Sequence, residues 1–252
     1  MIGISSPSFS LIEFDDMLEK IRKEFELWEV VAELDHDLPA IEEGVKYAMD
    51  SYGMKFQVHA PIADLNIGSP SERMRAHSLE ELLMLMQTCE RLSIPMITIH
   101  PGAAVAYGDN VKSRVREATR LSMKIIDRAI DGMSLKVAIE NMPPGTWSIC
   151  YDVGELISMV EGTRIGICFD TGHAHVAGTI DGFLRERERI LNVHIHNNDG
   201  TSDQHLAMDK GTVDLKPIVG ALSRKYRGNY IIEANNLREG IESKKILESW
   251  LE

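Results

Sequence analysis

IGICFDTGHAH, from Ile165 to His175, begins as an apolar, β-branched run and stops on an acid, with a histidine three residues beyond. A short apolar run without alternation reads as a strand buried on both faces, the kind that a parallel sheet uses. Asp170, which ends the run, is a metal-ligand type, and so is His173 after it. The same form recurs along the chain. FQVH ends on His59, MITIH on His100, KVAIE on Glu140, NVHIH on His196 and YIIE on Glu233. One polar strand end carries little information. Six of them, with enough chain between for a helix and a return strand, converge at one mouth if the strands lie parallel in a closed barrel.

Two more extended runs precede the six, IGIS (Ile2–Ser5) and WEVVAEL (Trp28–Leu34), which brings the number to eight. Helical periodicity lies between them. The clearest case runs from Ser78 to Leu92, with Leu79, Leu82, Leu83 and Met86 as an apolar stripe and Ser78 with Glu81 as a capping box. Further helices are expected over Asp152–Glu161, Asp181–Arg189, Asp214–Tyr226 and Glu239–Leu251. Alternating strands and helices predict an α/β chain folded as a (β/α)8 TIM barrel, one domain over residues 1–252. An open doubly wound sheet is the second choice, but no GxGxxG follows the first strand to hold a dinucleotide.

The length of 252 residues suits that barrel, and 44% hydrophobic with 26% charged residues is ordinary for a soluble globular protein. No apolar run reaches the roughly 18 residues of a membrane helix. The N-terminus MIGISSPSFSLIEFDD lacks the basic and apolar regions of a secretory signal. Cys89, Cys150 and Cys168 are odd in number and outside any CxxC, so they are expected as reduced core thiols of a cytoplasmic protein. A net charge of −12 argues against a dedicated nucleic-acid binder.

Mixed imidazole and carboxylate ligands suit zinc or manganese, and a bridging carboxylate such as Glu140 would let two ions sit close together. The loops add candidates: His173 after Asp170, then Asp203 and His205 shortly after His196. His175 and His194 have less claim. His194 shares a strand face with His196 by the period of two, but it is expected as a packed, hydrogen-bonded histidine.

With these motifs the chain resembles the xylose-isomerase-like TIM-barrel superfamily. That superfamily includes sugar and sugar-phosphate isomerases and epimerases and the endonuclease IV type of DNA-repair enzyme. The resemblance runs from about Phe56 to Glu233, through HAP, HPG, IEN, DTGHAHVAG, HxND, DxH and a terminal IE. It implies the endonuclease IV metal set at His59, His100, Glu140, Asp170, His173, His196, Asp203, His205 and Glu233, holding three zinc ions. In the epimerase branch, Glu140, Asp170, His196 and Glu233 would hold one divalent ion.

The two branches divide over the rest of the chain. GISSPSFS (Gly3–Ser10) stands where endonuclease IV proteins carry a GGL-type motif, and Gly211-Thr212-Val213-Asp214 looks like the G-x-[VI]-D turn of the sugar isomerases. All nine ligand positions filled looks like the repair enzyme. The preferred reading is a metal-dependent sugar or sugar-phosphate isomerase or epimerase. In it Glu140 and Glu233 exchange the proton and one divalent ion stabilises an enediolate; across the two readings the site would hold one to three ions of zinc or manganese. The alternative is a trinuclear-zinc phosphodiesterase acting at abasic sites in DNA. A metal-binding relative without turnover is the third.

Overall fold

Eight strands form in the order in which the sequence sets them out: β1 (Ile2–Ser5), β2 (Leu27–Val31), β3 (Lys55–His59), β4 (Met96–Ile99), β5 (Lys136–Glu140), β6 (Gly166–Asp170), β7 (Ile190–Ile195) and β8 (Tyr230–Glu233). Each pairs in parallel with the next, and β8 pairs with β1, so the sheet closes into a barrel. Closure leaves no edge strand to protect. The structure, a computed structural model, describes residues 1–104 and 109–251. Among these, no helix is long and apolar enough to cross a membrane.

Around the barrel lie α1 (Phe14–Ile21), α2 (Glu42–Tyr52), α3 (Glu72–Arg91), α4 (Asp109–Ala129), α5 (Val153–Val160), α6 (Thr171–Ala177), α7 (Ile180–Arg185), α8 (Leu215–Ser223) and α9 (Leu237–Leu251). Their apolar stripes cover the outer face of the sheet. On α3, Leu79, Leu82, Met86 and Cys89 recur at three- and four-residue steps, and all are buried. Burying each such side chain contributes about 1.5–3 kcal/mol. Phe169 on β6 stacks on Phe183 of α7 with ring centroids 5.2 Å apart.

Three local expectations change. β2 stops at Val31 instead of Leu34, because the chain turns there: Glu33 N–H donates to Val31 O, and Leu34 takes a left-handed backbone (φ 53) with its side chain exposed. α3 begins at Glu72, not Ser78, so Ser78 is no cap. Its buried hydroxyl donates to Met74 O at 3.1 Å and accepts from Asn66 N–H at 3.0 Å, which ties the loop after β3 to the helix. Glu81 faces His77 at 4.0 Å instead of closing a capping box. The stretch from Asp181 to Arg189 divides into α7 and a 3-10 turn over Arg187–Arg189.

Two glycines fit the loops tightly at the mouth. Gly102, after His100 and Pro101, lies so close to Gly68 that a Cβ on either would overlap the other's backbone. That approach joins the loops after β3 and β4.

Candidate metal centre

Strand polarity decides where the ligand-type side chains go. His59, Glu140, Asp170 and Glu233 are the last residues of β3, β5, β6 and β8, and His100 and His196 follow β4 and β7 by one. All six sit at the C-terminal end of the barrel, the end where barrel enzymes place their chemistry. Of the remaining three, His173 lies in the first turn of α6 and the other two arrive by loop. Asp170 Oδ1 accepts from His173 N–H at 2.6 Å, so the acid that ends β6 also caps α6 and turns His173 back over the mouth. Asp203 and His205 return because Asn197 and Leu206 exchange both backbone hydrogen bonds, at 2.8 and 2.9 Å. His205 is held with φ 48, a left-handed conformation that costs a non-glycine residue about 1–3 kcal/mol. Asn235 Nδ2 fixes it there through the carbonyls of Gln204 and His205.

The nine residues, with His194, fall into overlapping groups whose ligand atoms lie within 4.8 Å of one another, and three of these groups take in all nine. In the first, His59 Nε2 and His100 Nε2 each lie 3.2 Å from Glu140 Oε2. In the second, His173, His196 and His205 surround Asp203 at 3.1, 3.4 and 3.2 Å, and His196 Nε2 lies 3.2 Å from Asp170 Oδ1. The third contains Glu140, Asp170, Glu233 and, unexpectedly, His194. His194 Nδ1 is 3.3 Å from Glu140 Oε1 and 3.1 Å from Glu233 Oε1. His196, expected beside Glu140 and Glu233, groups instead with the Asp203 set. His175 lies outside all three and reaches Thr212 Oγ1 at 3.0 Å.

The histidines are oriented as ligands need to be. His59 Nδ1 faces Ala60 O at 2.7 Å and His173 Nδ1 faces Asn141 O at 2.8 Å. A carbonyl only accepts, so those nitrogens carry the proton and Nε2 is left for the centre. Asn141 also accepts from Asp170 N–H and donates to Asp170 O, which locks β6 to β5 beneath the site. A Cβ at Gly172 would run into the His196 ring, so the glycine of DTGH makes the space that this ring fills.

Electrostatics describe a place built for positive charge. Burial opposes ionisation of Glu140, but His194, His100 and His59 outweigh it and hold the carboxyl well below its ordinary range. Glu233 is lowered against its burial by His194 and His205, and Asp203 by His173 and His205. In return, the carboxylates raise His59 and His173 despite burial, Cys168 and then Glu233, Glu29 and Glu140 raise His194, and His205 reaches about 9. Protonated imidazoles thus balance the acids where cations would otherwise do so. Asp170 Oδ2 is buried and has no hydrogen-bond partner, an acceptor that a cation would satisfy. The donor set, the fixed Nε2 atoms and this orphaned oxygen together fit a divalent metal. The mouth opens at His100, Asp203 and His205, whose side chains are 20–29% exposed while Glu140 is 1% exposed.

Residues 17–250 match the family model described as xylose isomerase-like TIM barrel. The chain belongs to that family. An uncharacterised protein of Methanocaldococcus jannaschii is 30% identical over 99% of this chain and 89% of its own length. A probable endonuclease 4 of Aquifex aeolicus is 26% identical over 67% of this chain and 66% of its own. Among solved structures, a D-tagatose 3-epimerase-like protein superposes with a TM-score of 0.92 at 27% identity, covering 100% of this chain and 97% of that one. Sugar epimerases and endonuclease 4 proteins thus both stand among its relatives.

His194 is the packed, hydrogen-bonded histidine that the sequence suggests, but sequence reasoning did not place it against the carboxylates, and it missed Asn141 as a support. The signal for His194 was present: Asn192, His194 and His196 alternate along β7 and share its inner face.

Proposed function

We propose that this protein is a metal-dependent isomerase or epimerase of a free sugar, with Glu140 and Glu233 as the proton-transferring pair. The observation that carries this reading is the pair itself. Two ionised carboxylates lie within 4.8 Å of each other at the mouth, each with one oxygen taken by His194 and one turned elsewhere. A bound divalent ion would polarise a substrate carbonyl and its neighbouring hydroxyl and so stabilise an enediolate. Glu140, Asp170, Glu233 and the neighbouring histidines would hold that ion. A carboxylate oxygen takes the proton from carbon. If it returns the proton to the adjacent carbon the sugar is isomerised. If the opposite carboxylate, once it has taken a proton from a substrate hydroxyl or water, delivers it to the other face, the centre inverts, and the first carboxyl gives its proton back to solvent.

The convergence of all nine ligand types and the endonuclease 4 relatives support a second reading, a phosphodiesterase at abasic DNA. The charge at the mouth favours the first. Phosphodiester binding draws on lysines and arginines. The loops that follow β1 to β5, β7 and β8 contain a single basic side chain, Lys210, and it lies 3.8 Å from Glu242. Arg73 and Arg75 stand on the first turn of α3, and Lys112 and Arg114 on the first two turns of α4; Arg75 donates to Ser69 O and Lys112 to Gly145 O. Glu33, Asp35, Asp37 and Asp64 occupy the loops where a DNA strand or sugar phosphate would need cations. An uncharged, unphosphorylated sugar suits such a rim. The three free, buried thiols support a reducing, cytoplasmic location.

The test is a pair of assays on one metal-loaded preparation: proton exchange into free ketoses and nicking of an abasic-site duplex. His173→Ala with His205→Ala should spare a reaction centred on Glu140 and Glu233 and cripple a three-metal hydrolysis. Nicking without sugar exchange would reverse the assignment.

A further inference from the structure

The interior of a (β/α)8 barrel is ordinarily filled by layers of bulky apolar side chains. Beneath the metal centre this barrel carries a polar column instead. Glu29 on β2, Gln57 on β3, Thr98 on β4 and Asn192 and His194 on β7 are all at most 1% exposed. Glu29 Oε2 accepts from Gln57 Nε2 at 2.6 Å and from Asn192 Nδ2 at 2.9 Å. Asn192 also donates to Thr98 Oγ1 at 3.0 Å, and Gln57 Oε1 accepts from Asn229 Nδ2 at 2.9 Å at the lower end. The other oxygen, Glu29 Oε1, has no hydrogen bond of good geometry but lies 2.8 Å from His194 Nε2.

His194 is therefore gripped from both sides. Its Nε2 faces the carboxylate below, and its Nδ1 faces Oε1 of Glu140 and Oε1 of Glu233 above. The second oxygens point elsewhere: Glu140 Oε2 towards His59 and His100, and Glu233 Oε2 towards His205. Each mouth carboxylate is thus anchored by one oxygen and presents the other. A buried carboxylate is a poor way to stabilise a core, since apolar replacements of similar volume often pack as well or better. Its use here is orientation.

We propose that Glu29 is a positioning residue: through His194 it fixes the planes and separation of Glu140 and Glu233, and so sets how tightly the centre binds its metal. This concerns the metal centre and not the identity of the substrate, so it stands or falls apart from the sugar reading. Partners that orient ligands in this way are worth about 10–100-fold in metal affinity.

Zinc and manganese are titrated calorimetrically into chelator-stripped wild-type protein, Glu29→Gln and Glu29→Leu, with thermal unfolding recorded for each. Glu29→Leu should bind metal about 10–100-fold more weakly. Glu29→Gln, which keeps an oxygen to accept from Gln57 and Asn192 and a hydrogen-bonding group to face His194, should recover part of the loss. Wild-type affinity in a folded variant, or a lowered Tm with unchanged affinity, would show a merely structural residue and overturn the proposal. A crystal structure of the metal-free variant supplies a reading independent of affinity. His194 should rotate and release Oε1 of Glu140 and Glu233. Carboxylates left in place would equally overturn it.

Discussion

At the scale of single residues, two positions make opposite kinds of demand. Gly172 is defined by what lies against it: the ring of His196 fills the volume of a missing Cβ. Gly172→Ala should displace that ring, cost about 1–3 kcal/mol of stability as overpacking does, and weaken metal binding more than it weakens folding. Calorimetry beside thermal unfolding checks both, and unaltered metal affinity would show that His196 tolerates the shift. His36 is defined by what it lacks. It is buried between Phe14 and Trp28, its Nε2 donates to Ile12 O at 2.9 Å, and Nδ1 has no partner. Burial lowers its pKa, with only partial opposition from Ile12 O and Asp35. A lowered folded value means that the neutral ring stabilises the fold above the unfolded value near 6.5. That stability is lost as pH falls through the folded value, at no more than about 1.4 kcal/mol per pH unit. The raised site histidines have the reverse sign, with stability present below about 6.5 and lost as pH rises through their folded values. Comparing wild type with His36→Gln between pH 7.5 and 5 separates the two. Wild type should lose more stability on acidification, and parallel curves would refute the assignment.

Elements show where sequence reading succeeds and where it stops. Strand ends were legible because a buried parallel strand has a nearly unbroken apolar code, so its first charged residue marks the mouth. His59, Glu140, Asp170 and Glu233 follow from that alone. The short α6 was not legible, since seven residues are too few to show a period, and its signal was an aspartate read only as a ligand. The start of α3 was misplaced for a related reason, while α5 and α8 begin beside Asp152 and Asp214 as expected. A serine followed three residues later by glutamate has the pattern of a cap at Ser78, yet the same hydroxyl can bond back to the carbonyl four residues earlier and hold a loop. The two readings differ in outcome. Ser78→Ala should cost about 1–3 kcal/mol, because Asn66 N–H loses its acceptor beside the mouth, while Glu81→Ala should change stability by less than about 0.5 kcal/mol. Equal losses from both would restore the cap. His194 was legible by alternation but not by role, because a single sequence does not say which carboxylates face a strand from across the barrel.

Over the whole molecule, the arrangement concentrates negative charge at one end and lets histidines answer it. Glu140, Asp170, Asp203 and Glu233 meet within one mouth of a chain whose net charge is already −12. In the metal-free protein that concentration is tolerated through raised histidines, so each arriving cation displaces protons. Metal binding should therefore tighten as pH rises from 6 towards the His205 value of about 9 and release protons measurable as a buffer-dependent heat. It should also stabilise the fold by mass action, since the unfolded chain has no assembled site. At a free metal concentration of about 100 times Kd the gain is about 2.7 kcal/mol, and for a chain of this size each kcal/mol moves Tm by roughly 2–4 °C. A rise of about 5–10 °C with zinc or manganese, reversed by chelator, follows. Asp170→Ala with His196→Ala removes the orphaned oxygen and the imidazole 3.2 Å from Asp170 Oδ1, and should abolish most of that rise; the loss of the α6 cap lowers the metal-free Tm of the double variant, so the shift is read against its own metal-free value. If the double variant keeps the full metal-induced shift, the cations sit elsewhere and the mouth is not the centre described.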